Sequence, residues 1–535
     1  MRSHDKSQTA PEADDSVRIA ITAHLQSASA MEAERAAAAL ATDLCRALGM
    51  PPVTCTVTVT VNDELAVGAM ECEVNGCRCR YDQQTEAILQ EYVGGDFQDA
   101  GIEAEYVALL CRHALCLQPA ILVNERIIDE WRRGVPAPLS REDARLLLTG
   151  LLEARVRVDD YQAIAKLVVP EKPVGELLEE CLGQFSKNRI TLRVAAQYHD
   201  AIFVKANEPA QIFDGMRQEL YEELGVLCPF ITVQSDPVLR DRGFELVINA
   251  ASGTPRAGIA PGRVHVNDTV DCLRLMNVVS TAWPSPDRRR SGALVSPDQE
   301  EMLTAAGRTV LNPLQYIAGA VQEDLRRNAS LLVHETSLTV LRTKLAAAFP
   351  ALVDAASAAV PFWQLTAALR ELARDRVPVR GLTRVMERVV DFPFSAFALN
   401  RYIIGEERIY STGNGLETAD LVSFLRAGLA REIAWASSRR TSTLVVYLAD
   451  ERELAPLHES GQASFEETVD RFVRAFEEES RHLPPTAHIR CLLAAPESAR
   501  RLRPILRLRL PQVVVLSCAD LPADVNVQPV ARIGR

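Results

Sequence analysis

The sequence predicts an α+β multidomain protein in which small α/β subdomains, ferredoxin-like or thioredoxin-like, alternate with helical bundles in a tandem duplication. Three observations point there. The period-two run Thr54 to Val61 (T-C-T-V-T-V-T-V) reads as a strand, whereas apolar residues recur at helical spacing from Tyr106 to Leu117. With 535 residues the chain is long enough for several separate cores. Finally, residues 106–125 align without a gap on residues 316–335, the mark of an internal repeat.

Taken in order, residues 1–16 are polar, carry Asp5, Glu12, Asp14 and Asp15, and are expected to be a disordered tail. Residues 17–100 form the first α/β subdomain. Within it, M-E-C-E-V-N-G-C-R-C-R-Y from Met70 to Tyr81 predicts a hairpin, because Asn75-Gly76 suits a type I′ turn. That register places Met70, Cys72, Val74, Cys77, Cys79 and Tyr81 on one apolar face. Glu71 and Glu73 then lie opposite Arg80 and Arg78 on the other. The thiols read as small core hydrophobes, since no spaced Cys/His set completes a zinc site. Residues 101–200 hold the first helical subdomain and a truncated last subdomain; Cys111, His113 and Cys116 fall on its helix as packing and surface residues. The second copy runs through an α/β subdomain (201–300), a helical subdomain (301–395) and a C-terminal α/β subdomain (396–535). There, Val513 to Leu516 is a continuous apolar run of the kind a strand buried on both faces shows. The boundary between copies is expected between Ala195 and Pro209.

The repeat rests on several collinear matches. Tyr106/Tyr316, Ala108/Ala318, Leu115/Leu325, Leu122/Leu332, Val123/Val333 and Glu125/Glu335 align, and the apolar members share a helix face. L-L-E-A-R-V-R-V (151–158) parallels L-A-R-D-R-V-P-V (372–379). A helix running into Leu48-Gly49 and a following strand parallels Leu224-Gly225 and the strand after Phe230. The helix and strand from Val174 to Val194 echo Leu421 to Leu448.

Composition narrows the function. Hydrophobic residues make up 47% and charged residues 24%, with a net charge of −12. An acidic surface disfavours nucleic acid and anionic membranes as partners. The longest apolar stretch, Ala355 to Leu369, is short for a membrane span and contains Pro361 and Gln364. A cytoplasmic chain with twelve reduced cysteines is therefore expected. There is no phosphate loop, dinucleotide fingerprint, nucleophile elbow or metalloprotease motif. T-G-N-G (412–415) reads as a loop, and Asp159-Asp160 and Glu477 to Glu479 as solvated faces. No catalytic residue, cofactor or metal is assigned.

The second half resembles the cytoplasmic region of the type III secretion and flagellar export-gate family (FHIPEP). Leu224-Gly225 with Pro229-Phe230-Ile231, Phe244 to Val247 and Gly258 to Arg263 resemble its opening domain. Leu314 to Ala318, Leu325 to Ala329 and Phe349 to Val353 resemble its helical middle. Val377-Pro-Val-Arg-Gly-Leu382 is close to its V-S-I-R-D-L signature, and Arg500 to Pro504 with Leu510 to Ser517 to its last helix and strand. No counterpart of the family's membrane domain is expected within these 535 residues. The family's D-P-x-F-G docking stretch is replaced by D-C-L-R-L-M-N-V-V-S-T-A-W-P (271–284). The resemblance implies a non-catalytic protein-binding scaffold related to protein export, with secretion substrates, chaperones or apparatus components as partners. A monomer or small oligomer is expected. The other reading is a regulatory or defence-type scaffold reusing the fold. Phe230, Phe244, Trp283, Phe362 and Trp363 are the candidate exposed anchors, because aromatic residues carry most interface energy.

Overall fold

The computed structural model describes residues 16–79, 81, 83–94, 99–169, 172–186, 189–204, 209–287, 292–402, 418–438, 441, 443–458, 462–481, 491–510 and 513–534. Of the expected tail (residues 1–16), residues 1–15 lie outside the described residues, as does the loop 412–415, while Ser16 begins the first strand instead. The chain divides into two compact units. The first comprises Met1–Cys79, Val93–Glu153 and Arg157–Pro170, and the second comprises Arg80–Tyr92, Ala154–Val156 and Glu171–Arg535.

The first unit opens with β1 (Ser16–Ala23), α1 (Ser27–Ala47), β2 (Thr54–Val61), β3 (Met70–Val74) and β4 (Cys77–Cys79). Their sheet has the order β2-β1-β3-β4, with β1 parallel to β2 and antiparallel to β3. The alanines of α1 explain its packing: Ala33, Ala37 and Ala41 form an i, i+4 stripe that is fully buried. This lets α3 (Ala100–Leu117) approach closely, and the buried Glu103 on α3 accepts from Ser29 Oγ (2.6 Å) and the Gln26 amide (3.1 Å) at the N-terminus of α1. After α2 (Gln83–Val93), which falls mostly in the second unit, and α3 come α4 (Glu125–Gly134), α5 (Arg141–Glu153) and α6 (Tyr161–Leu167). Trp131 of α4 is fully buried and donates its indole N–H to the Val158 carbonyl (2.9 Å).

The hairpin forms as the sequence indicates, with Asn75 and Gly76 at φ 52° and 80° and Cys72 opposite Cys79. One thiol departs. Cys77 shares a face with Val74 by register yet is exposed, because β4 is the outermost strand of its sheet. Arg78 reaches diagonally to Glu71 (3.9 Å).

In the second unit α7 (Val174–Phe185) precedes β5 (Ile190–Ala195), the short helix α8 (Ala196–His199), α9 (Pro209–Leu224), β6 (Ile231–Asp236), β7 (Gly243–Ile248), β8 (Ala251–Ser252) and β9 (Arg256–Ala257). β5 was expected to close the first copy. It is instead the inner strand of this sheet, paired parallel to β6 and antiparallel to β7, so the boundary between Ala195 and Pro209 would cut through one sheet. Five of its six positions are buried, four of them apolar, as burial on both faces requires.

A small four-stranded sheet follows: β10 (Val264–Val266), α10 (Val270–Leu275), β11 (Thr281–Ala282), β12 (Ala293–Val295), α11 (Glu300–Ala305) and β13 (Val310–Leu311). It has a core of its own around Val266, Leu273 and Leu303. The helical middle is α12 (Pro313–Arg327), α13 (Glu335–Ala348), α14 (Pro350–Ala359), α15 (Phe362–Arg374), α16 (Leu382–Tyr402), α17 (Thr418–Gly428) and α18 (Ala430–Ser437). It shares one core with β5 and β7. The C-terminal part, β14 (Thr443–Ala449), α19 (Glu451–Leu454), α20 (Gln462–Arg481), β15 (Cys491–Ala494), α21 (Pro496–Arg509), β16 (Val514–Ser517) and β17 (Asn526–Ile533), builds an all-parallel sheet. Its apolar run is indeed covered on both faces, since Val515 and Leu516 enter different cores.

The two units share local geometry. Strand order and directions in β6-β5-β7-β8 repeat those of β2-β1-β3-β4. The α3 and α12 helices end at 117 and 327, their 3-10 turns span 119–122 and 329–332, and α4 and α13 start at 125 and 335, a constant separation of 210 residues. Leu48 and Leu224 each precede a glycine at positive φ, and each accepts a backbone hydrogen bond, from Val158 (2.9 Å) and Val379 (2.8 Å). Arg155 and Arg376 both adopt the left-handed conformation, at φ 56° and 58°.

Candidate protein-docking surface

The five aromatic candidates are not equivalent. Phe230 precedes β6 and is 76% exposed. Its ring lies under the Arg217 guanidinium of α9 at 4.2 Å, and Arg217 Nε donates to the Cys228 carbonyl (2.9 Å), so the platform is held in place. Phe244 is the opposite case. It lies within β7, is buried in the main core, and is not a surface anchor, because β7 is flanked on both sides by other strands. Trp283 is half-buried and donates its indole N–H to Tyr316 Oη (3.1 Å), which seats it beside Ile259 and Leu294.

Phe362 and Trp363 begin α15. Phe362 is half-buried with Arg342 of α13 over its ring at 3.9 Å. Trp363 lies against α7: a Cβ at Gly175 would come within 2.9 Å of the indole. Glu179 of α7 is buried and holds Arg370 of α15 through both carboxylate oxygens, while Arg370 Nε donates to the Val333 carbonyl (2.9 Å). The chain's own helix therefore occupies this aromatic surface. Sequence reasoning missed the two most exposed large hydrophobic residues, Leu275 (88%) and Val279 (90%), in the stretch that replaces the docking motif. Nothing in L-R-L-M-N-V-V tells them from Leu273 and Val278, which fill the small core.

Two further clusters have chemistry of their own. Cys45 and Cys55 approach to 4.0 Å, and Cys72, Cys79 and Cys111 pack in the same unit. Hydrogen bonding to Cys72 and burial push the Cys79 and Cys111 thiols well above their ordinary range, which keeps them neutral. Among the described residues no three metal-ligating side chains converge. In the second unit, buried Arg426 of α17 binds Asp520 through Nε (2.9 Å) and Nη2 (3.1 Å) and reaches Asp375 (3.1 Å). Arg503 and Arg507 of α21 complete the network at 2.6 Å from Asp520 and 3.0 Å from Asp375. Burial alone would raise the Asp520 carboxyl, but the Arg426 and Arg503 charges hold it below the usual carboxylate range.

A profile of the FHIPEP family matches residues 153–526. The chain belongs to the FHIPEP family. The match covers the small sheet, the helical middle and the C-terminal parallel sheet as far as the start of β17. Among curated FHIPEP-related proteins, the hypersensitivity response secretion protein HrcV of Ralstonia nicotianae is 25% identical over 261 residues, 49% of this chain and 34% of HrcV. The flagellar biosynthesis protein FlhA of Bacillus subtilis is 21% identical over 340 residues, 61% of this chain and 46% of FlhA. The matches thus span between about a third and a half of those relatives. Chlamydia pneumoniae CdsV superposes with a TM-score of 0.54 at 20% identity, covering 65% of this chain and 98% of that structure. CdsV in complex with CdsO gives 0.55 at 19% identity, covering 65% and 97%. The FHIPEP fold is therefore that of known export-gate domains. No single described helix is long and apolar enough to cross a membrane; α14 and α15 pass together but are bent by 92°.

Proposed function

We propose that this chain is a non-catalytic protein-docking scaffold of the export-gate family, acting in protein secretion on the cytoplasmic side, and that its two units are tandem copies of one ancestral module. The observation that carries the secretion reading is the continuous family match from 153 to 526, which takes in every subdomain after the first unit. CdsV is known in complex with CdsO, so a counterpart of CdsO in the same organism is a natural partner. The exposed apolar residues Leu275 and Val279, close in sequence, and Phe230 are the side chains this reading uses as contact surface. The duplication is supported by the 210-residue spacing of element ends and by the repeated strand order, features that helix convergence alone does not produce.

Deleting the gene and assaying export of secretion or flagellar substrates tests the role. Loss of export restored by the intact gene is expected. Unchanged export would favour the regulatory or defence-type scaffold. In parallel, the purified full-length chain should co-elute with the CdsO counterpart, and failure to do so at micromolar concentration would remove that partner.

A further inference from the structure

We infer that Cys45 and Cys55 form an oxidative modification site, at which hydrogen peroxide converts the pair to an intrachain disulfide that fastens the end of α1 to the start of β2. Both thiols are free, and their sulfurs lie in contact at 4.0 Å. Contact alone is ordinary in a core, so the difference between the two thiols matters. Cys45 donates its S–H to the Cys55 sulfur. That hydrogen bond outweighs burial and lowers the Cys55 pKa to about 7, whereas the same contact and burial hold the Cys45 thiol well above its ordinary range. One sulfur is a nucleophile and its neighbour a resolving thiol, the pairing that makes peroxide oxidation site-selective. Position adds access. Cys55 is the second residue of β2, the outer strand of its sheet, and is 6% exposed, while Cys72 on the inner strand β3 is 2% exposed. The matching corner of the second unit uses no sulfur here: Tyr221 and Ile231 stand at the same distances from Gly225 as Cys45 and Cys55 from Gly49.

The chemistry balances with the peroxide as oxidant. The Cys55 thiolate attacks one peroxide oxygen, the O–O bond breaks, and the departing hydroxide takes the proton that Cys55 released, giving a sulfenic acid and water. The Cys45 sulfur then attacks the Cys55 sulfur. The S–O bond breaks, and the hydroxide leaves with the Cys45 proton as a second water. The bridge encloses the corner from Arg46 to Thr54. There the Leu48 carbonyl accepts from the Val158 amide (2.9 Å), and Gly49, at φ 68°, has the Asp159 carboxylate where a Cβ would stand. Oxidation therefore locks the joint by which α1 and β2 hold the segment at 158–159.

Peroxide treatment of the full-length chain tests this, in a background where the exposed Cys77, Cys272 and Cys518 are changed to serine. The folded protein should lose about 2 Da, the two hydrogens of one dithiol. Fragment sequencing should place the bridge at Cys45 and Cys55. The rate should rise in proportion to peroxide, and the oxidised protein should melt at a higher temperature until dithiothreitol restores the original value. Cys45→Ser, with unchanged circular dichroism, should form no bridge and leave Cys55 as a sulfenic acid that dimedone traps; Cys55→Ser should give neither. A chain that keeps its mass, or one bridged between Cys72 and Cys79 with Cys45 and Cys55 still free, would overturn the proposal. So would a rate that does not depend on peroxide concentration, since the thiols would then react only after unfolding.

Discussion

His334 shows how one residue couples helix capping to pH. It is the N-cap of α13, and its Nδ1 accepts from the Ser337 amide at 3.3 Å, a role open only to the neutral ring. Burial first, and then the Arg370 charge, lower its pKa from 6.5 to about 4. A group lowered on folding contributes stability that is complete above its unfolded pKa and is lost as pH falls through the folded one. Acid should therefore destabilise the second unit between pH 6.5 and about 4, by at most about 3 kcal/mol from this group. The matching position in the first unit is Asn124, which caps α4 by accepting from Ile127 at 2.9 Å. His334→Asn should accordingly keep the cap at pH 8 and flatten the acid limb of a melting-temperature profile. The limb should not vanish, since burial also holds His265 at about 4. A variant whose acid limb matches wild type would show that His334 does not titrate in this range.

At the scale of elements, the decisive joint is the one that fastens α17 and the end of α15 to α21 and β16. Arg426 is 1% exposed and Asp520 is 2% exposed, so neither charge is tolerable without the other. Arg426→Ala should cost about 3 kcal/mol or more, because Asp520 would keep only Arg503 and its own turn. Arg426→Lys should recover little, as a point charge cannot make the paired contacts to Asp520. Chemical denaturation monitored at Trp435, 52% exposed on the neighbouring α18, reports the loss. Midpoints equal to wild type would mean the network is neutral to folding. The α7–α15 clamp is built on the same logic, with Glu179 and Arg370 both shielded from water.

For the whole molecule, membership of β5 in the second sheet changes where the chain can be divided. A fragment beginning at Pro173 retains α7 and β5, whereas one beginning at Ile202 loses the inner strand and leaves β6 and β7 without their common partner. The first should unfold cooperatively on heating. The second should show little protection or aggregate, because removing an inner strand exposes two strand edges and the core beneath them. Equal cooperativity of both fragments would show that β5 is dispensable.

Local chemistry made much of this protein legible from sequence alone. The Asn75-Gly76 turn, the apolar run of β16 and the matching helical patterns at 106 and 316 are all encoded by neighbouring residues. Backbone propensity and side-chain periodicity act at that range. The family resemblance was readable for the same reason, since its matches are collinear stretches. Tertiary structure decided what depends on distant partners. Phe244 and Phe230 look alike in sequence, but one lies on a strand flanked on both sides and the other at an open edge. Cys77 follows the pattern of a core thiol and is exposed only because nothing pairs beyond β4. Trp363 is covered by α7, and β5 joined the sheet that could satisfy both of its edges. In each case the deciding quantity is which surface another element removes from water or from unpaired hydrogen bonding. That quantity is a property of the packed chain.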